Sequence, residues 1–135
     1  MSEENVEIVR RAYAALTRGD GDTLYDLASP EFVLDFSHRL VDPIVLRGRD
    51  DAVAFFVSQS LETWEGWPVY EPQELIDAGD KVVAFIRTSA RGKGSGVEVE
   101  AHLWNLWTFR DGTPVEWKYF GDDQAAALEA AGLSE

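Results

Sequence analysis

The sequence predicts an α+β fold in which helices gather on one face of a curved, mostly antiparallel sheet. Three observations carry this reading. Apolar residues at helical spacing dominate the first half, β-forming segments punctuated by tight-turn pairs fill the second, and residues 99–120 form a long hairpin loaded with aromatic side chains. A curved sheet closed on one side by helices leaves a conical hollow between the two layers.

The elements follow in order. Val6, Val9, Tyr13 and Leu16 make an apolar stripe with Arg10, Arg11 and Arg18 off it, and Gly19 ends the helix. After the Asp20-Gly21-Asp22 turn, residues 23–28 place Leu24, Leu27 and Ala28 on one side until Ser29-Pro30 stops a second, short helix. Phe32, Leu34 and Phe36 then alternate with Val33, Asp35 and Ser37 as a short strand, and regularity lapses over residues 38–48 around Pro43. Asp50 is placed to cap a third helix with the stripe Val53, Phe56, Val57, Leu61 and Trp64, closed by Gly66-Trp67-Pro68. Residues 71–76, the Gly79-Asp80 turn and residues 81–90 form a hairpin, which a Gly-rich link joins to the strand at 99–109. Asp111-Gly112 is the pair favoured where a two-residue turn needs positive φ, and on the returning strand Trp117 and Tyr119 share one face. Asp122 caps a terminal helix running through Ala131, with Gly132 as its stop. No repeat or linker divides the chain, so residues 1–135 are read as one domain.

Composition narrows the function classes. With 25 acidic against 12 basic residues the net charge is −13, which repels phosphate backbones, so nucleic acid is not an expected partner. The absence of cysteine removes disulfides, thiolate nucleophiles and cysteine metal sites, and fits a reducing cytoplasm, the expected location. The acidic opening Met1-Ser2-Glu3-Glu4-Asn5 is unlike the basic-then-apolar start of a secretory signal, and no segment reaches membrane-spanning length; no membrane partner is expected. Because the long strands are apolar on both faces, one face needs a second cover, and a homodimer is expected.

Few residues are equipped for chemistry. Asp35 sits among Phe32, Val33, Leu34 and Phe36, where desolvation would raise its pKa toward general-base strength; the opposing arrangement turns it to solvent with Phe32, Leu34 and Phe36 inward. His38 and His102 are the only histidines, suited to proton transfer near neutral pH, and His38 could pair with Asp35 as acid and base. His102 shares strand parity with Trp104 and Leu106. Arg87, flanked by Ile86 and Thr88, needs a carboxylate such as Asp35 or a ligand anion. Tyr13, Trp64, Phe85, Trp104, Trp107, Trp117 and Tyr119 are candidate pocket walls for a flat hydrophobic ligand. Two histidines and an aspartate lack metal-ligand spacing, Arg91-Gly92-Lys93-Gly94-Ser95-Gly96 lacks the phosphate-loop order, and Asp20-Gly21-Asp22 lacks further calcium ligands, so neither metal nor cofactor is expected.

Several local sequences together resemble the SnoaL-like polyketide cyclase and ketosteroid isomerase group of the nuclear transport factor 2-like superfamily. They are Asn5-Val6-Glu7-Ile8-Val9-Arg10-Arg11-Ala12-Tyr13 with Gly19-Asp20, Ser29-Pro30-Glu31-Phe32, Asp77-Ala78-Gly79-Asp80-Lys81-Val82-Val83, Trp107-Thr108-Phe109-Arg110-Asp111-Gly112, and the terminal Ala127-Leu128-Glu129-Ala130-Ala131-Gly132-Leu133. The resemblance implies a cone-shaped curved mixed sheet with N-terminal helices on its concave face, a short C-terminal helix, a hydrophobic pocket and frequent dimers. It implies no single reaction, since the superfamily spans isomerases, cyclases, dehydratases and domains without catalysis. The isomerases use a strand carboxylate as base, with a helix Tyr and a protonated strand Asp as oxyanion donors. In this chain the base position corresponds to Asp35, the Tyr position falls at Ala12 with Tyr13 one residue on, and the Asp position falls at Leu106, and the resemblance implies that His102, Trp104 and Leu106 turn toward the cavity. Two function classes are therefore carried forward. One is a cofactor-free isomerase, cyclase or dehydratase acting on a small hydrophobic or aromatic carbonyl compound, and the other is a non-catalytic ligand-binding or dimerisation module.

Overall fold

A computed structural model describes residues 2–40, 43–63, 65 and 68–133. Helices α1 (Ser2–Arg18) and α2 (Gly21–Leu27) come first, then strands β1 (Val33–Asp35) and β2 (Val45–Arg47) and helix α3 (Arg49–Thr63). Strands β3 (Val69–Asp77), β4 (Lys81–Arg91), β5 (Glu98–Arg110) and β6 (Thr113–Gly121) follow, and α4 (Gln124–Ala130) ends the described chain. The six strands form one sheet in the order β2-β1-β6-β5-β4-β3, antiparallel except for the parallel β1–β6 pair. The mixed α+β architecture is the predicted one. None of the helices among the described residues is long and apolar enough to cross a membrane.

Local chemistry explains most boundaries. Asp20 caps α2 by accepting from the Thr23 N–H, so the helix starts earlier than the apolar pattern suggests. Asp50 falls in the first turn of α3 rather than at its cap. Asp123, not Asp122, caps α4, through a 3.0 Å bond from the Ala126 N–H. Within the stretch read as irregular, Val45–Arg47 pairs antiparallel to β1, and a three-residue strand is too short to show a period. The β5–β6 turn does place Asp111 and Gly112 at positive φ (53° and 79°), as the two-residue connection requires.

Sheet curvature has visible causes. Register shifts fall between Pro72 and Glu74 in β3, and between Trp104 and Asn105 and between Thr108 and Phe109 in β5 opposite β6. Each adds a residue to one strand, which bends it and increases local twist. The concave face is filled by a core that includes Val9, Tyr13, Leu34, Ile86, Trp107 and Trp117 under α1, α2 and α3. The opposite face carries a smaller cluster of Val83, Trp104, Leu106 and Phe120 covered by Ala127 of α4.

Polar bonds pin α1 to the sheet. Thr17 Oγ1 donates to the Tyr70 carbonyl at 3.2 Å and accepts from the Tyr70 N–H at 2.9 Å, while Asn5 Nδ2 donates to the Gly79 carbonyl at 3.2 Å. Deeper in, Trp107 Nε1 donates to the Tyr13 hydroxyl at 2.9 Å, joining α1 to β5.

Gly121 turns the chain from β6 into α4 at φ 63°, and a methyl group there would lie 3.3 Å from the Tyr119 hydroxyl. A non-glycine residue in this region costs about 1 to 2 kcal/mol. Urea denaturation of Gly121→Ala should therefore show a loss of about that size, and an unchanged midpoint would refute the strain assignment.

Candidate functional site

A cavity of about 280 Å³ opens between the concave sheet face and α3. Its walls are mostly carbon, with Phe36, Phe56, Trp117 and Tyr119 on one side and Ile86 and Leu103 of the sheet on another. The rings are mutually supported: Phe56 stacks on Trp117 at 4.9 Å, Trp117 stacks on Trp107 at 4.8 Å, and Phe36 leans on Tyr119 at 5.3 Å. Such pairs contribute about 0.5 to 1.5 kcal/mol each beyond their buried area, so the walls are stiff.

The polar groups at this cavity are few. Asn105 lines it from the inner face of β5, opposite Tyr119 of β6, and is 1% exposed. Neither its Oδ1 nor its Nδ2 has a hydrogen-bond partner, and the buried indole N–H of Trp117, another lining residue, has none either. Asn105 lies near enough to the Tyr13 hydroxyl to oppose the upward shift that burial imposes on it, without completing a bond of normal geometry. Tyr70 and Thr88 add hydroxyls, and burial pushes the Tyr70 phenol up to about 12, so it keeps its proton at neutral pH. Arg39 stands over the Phe36 ring at 5.5 Å from its centroid and supplies the lining's charge.

The structure distributes the expected site residues over both faces of the sheet. Trp117 and Tyr119, which share a face of β6, line the cavity, and Tyr13 is buried directly behind it, edge-on to Trp117 at 5.7 Å. Trp107, also nominated as a wall, packs behind Trp117. Trp64 lies outside the described residues.

Phe85, Arg87, His102 and Trp104 do not line the cavity; they occupy the opposite sheet face, where Phe85 packs on Trp104 at 4.5 Å and on His102 at 5.9 Å. The parity assigned to β5 is thus reversed: Leu103, Asn105 and Trp107 point in, and His102, Trp104 and Leu106 point out. Helices α1 to α3 cover one face and α4 the other, so bulky apolar residues alternate with bulky apolar residues and hydrophobicity does not distinguish them.

Arg87 is partnered by Glu71 at 3.1 Å and Glu100 at 3.1 Å, not by Asp35. His38 faces Asp123 at 3.4 Å across Nε2 and rests on Phe120, and with His102 it borders an open groove beside the start of α4. His38 and Asp35 form no acid–base pair. Asp35 itself lies on the outward side of β1, with Leu34 and Phe36 buried inward. Partial burial raises its pKa, but hydrogen bonds from Ser37 Oγ (2.6 Å) and Ser37 N (2.9 Å), aided by the Lys118 ammonium at 3.6 Å, hold it below the ordinary value. The expectation of a desolvated, strengthened base at Asp35 is therefore overturned.

Asn105 escaped the sequence reading. Its signal was a lone carboxamide inside Leu103-Trp104-Asn105-Leu106-Trp107, where a polar residue must either find a partner or serve one.

The Asp35 geometry predicts a pH signature. A carboxyl with a depressed folded pKa stabilises the fold fully above its unfolded pKa, near 3.8, and that contribution disappears as pH falls through the lower folded value. The gap in urea midpoint between wild type and Asp35→Asn should be present at neutral pH and narrow only below about pH 3.8. A gap that persisted unchanged into acid would refute the role given to Ser37 and Lys118.

Comparison with known proteins agrees with this architecture. A SnoaL-like protein from Jannaschia sp. CCS1 superposes with a TM-score of 0.76 at 24% identity, over 93% of this chain and 90% of that one. A protein with a ketosteroid isomerase-like fold from Catenulispora acidiphila, solved in complex with trimethylamine, gives 0.75 at 18% identity, covering 94% and 93%. TerC, co-crystallised with polyporic acid, gives 0.74 at 20% identity, covering 96% and 98%. No curated protein sequence matches the chain. The family model of the SnoaL-like domain, however, matches residues 9–117, and the chain belongs to that family.

Proposed function

We propose that this protein is a cofactor-free pocket protein that binds a small hydrophobic or aromatic compound through a carbonyl or hydroxyl oxygen. One observation carries the reading: a carbon-walled cavity of about 280 Å³ holds, at Asn105, a buried carboxamide with no protein partner. Leaving such a group unpaired costs about 1 to 3 kcal/mol, a cost that a ligand oxygen or hydroxyl would offset. Asn105 offers both a donor and an acceptor, and the Trp117 indole offers a second donor beside the same space. One structural relative solved in complex with trimethylamine and another co-crystallised with polyporic acid support small-molecule binding by this architecture. The cysteine-free composition agrees with a cytoplasmic setting.

Binding is favoured over isomerase, cyclase or dehydratase chemistry by the lining itself. Two donors beside one cavity suit the polarisation of a carbonyl, yet acid–base catalysis also needs a proton acceptor. Among the described lining residues there is no carboxylate or imidazole, and Tyr70 keeps its proton.

The chain is also proposed to pair with a second copy through the sheet, because half-buried Phe85 and exposed His102 stack on each other on the outward sheet face. Sedimentation equilibrium should return twice the chain mass, and a monomer at high concentration would overturn the pairing.

Asn105→Leu tests the pocket directly. Wild type should bind 2-naphthol more tightly than naphthalene, and the variant should lose that preference, weakening 2-naphthol by about tenfold. Its urea midpoint should equal or exceed that of wild type, because an unpaired buried amide has been removed. Undiminished 2-naphthol binding in the variant would overturn the proposal.

A further inference from the structure

We infer that the ligand of this cavity is an anion: an aromatic acid of one or two rings whose carboxylate is taken by Arg39 at the rim while its ring system fills the apolar interior. The inference rests on the pocket reading above and adds the charge of the ligand.

The cavity has a charge opposite to that of the molecule. The chain carries 25 acidic and 12 basic residues, yet among the described lining residues there is no carboxylate and Arg39 is the one cation. Four of the other arginines pair with neighbouring acids, Arg18 with Asp20, Arg87 with Glu71 and Glu100, Arg91 with Glu98 and Arg110 with Glu31, and among the described arginines without an ion pair only Arg39 lines this cavity. Arg39 has no ion pair among the described residues. Its guanidinium instead lies over the face of Phe36, itself a wall of the cavity. Stacking on a ring fixes the guanidinium plane but leaves its N–H edge free, and that edge matches a carboxylate in bidentate geometry. The Arg39 backbone N–H donates to the Phe36 carbonyl at 3.1 Å, a tight turn that sets the Arg39 backbone close to the Phe36 platform.

Size and the second polar point complete the description. A cavity of about 150 Å³ accommodates benzene, so about 280 Å³ suits one ring with substituents or two fused rings. Half-buried Arg39 and fully buried Asn105 line the same aromatic-walled cavity, an arrangement that suits a molecule with an acid group at one end and a hydroxyl or carbonyl oxygen at the other.

Isothermal titration with 6-hydroxy-2-naphthoate and 2-naphthol, against wild type, Arg39→Gln and Arg39→Lys, tests this. Wild type should bind the acid about tenfold more tightly than the naphthol, the scale of one charge-assisted pair. Arg39→Gln should abolish that preference, and Arg39→Lys should retain part of it, since charge survives without the planar fork. Equal binding of the two probes by wild type, or a preference that survives Arg39→Gln, would overturn the anion inference and leave the pocket reading standing. Binding of neither probe to wild type would overturn both.

Discussion

The fold turns on a buried aromatic stack. Phe56 of α3, Trp117 of β6 and Trp107 of β5 lie face to face at 4.9 and 4.8 Å, and Tyr13 of α1 meets both indoles edge-on at 5.5 and 5.7 Å. Four elements distant in sequence thus share one column of rings, and the Trp107 indole N–H ends on the Tyr13 hydroxyl. The offset and edge-on arrangements suit the ring quadrupoles, and the single polar bond specifies which edge of the indole faces the helix. Helix placement on the concave face, and therefore the existence of a space beyond the stack, follows from that column.

The same column sets the character of the cavity. Its inner end is sealed by rings that have no freedom to collapse into the space, because each is already packed on its other face. What polar capacity remains is therefore isolated. Asn105 stands next to Tyr13 and Tyr119 in strands whose backbone bonds are already committed to the sheet, so its carboxamide has little protein to turn to. A buried group of this kind sacrifices stability for recognition, the usual relation between a fold and its functional residues.

Much of this was legible in the sequence because local rules and tertiary demands agree. The stripe Val9, Tyr13 and Leu16 gave α1, Asp111-Gly112 gave the β5–β6 turn, and the Trp117–Tyr119 alternation gave a shared face that does meet the cavity. What was not legible depends on which face of an element is covered by what. The run 103–107 carries bulky apolar residues on both sides because α4 covers one side and α1 to α3 the other, so hydrophobicity gives parity no marker and does not reveal that His102 and Trp104 face outward. Asp35 had the composition of a desolvated base, but its partners Ser37 and Lys118 were beyond reach of any pattern: Lys118 arrives through the parallel β1–β6 pairing, eighty-odd residues away. Asn105 was visible only as an oddity, and its meaning required knowing that it completes no hydrogen bond of normal geometry even beside Tyr13.

The two-sided strand β5 also frees the protein to change. Inward positions 103 and 105 touch whatever occupies the cavity, while outward positions 104 and 106 touch α4, and the backbone between them stays in the same ladder. Replacing an inward residue reshapes ligand preference without loosening the C-terminal helix, and replacing an outward one alters the helix seat without touching the ligand. Selection can therefore act on recognition and on architecture through alternate letters of a single segment.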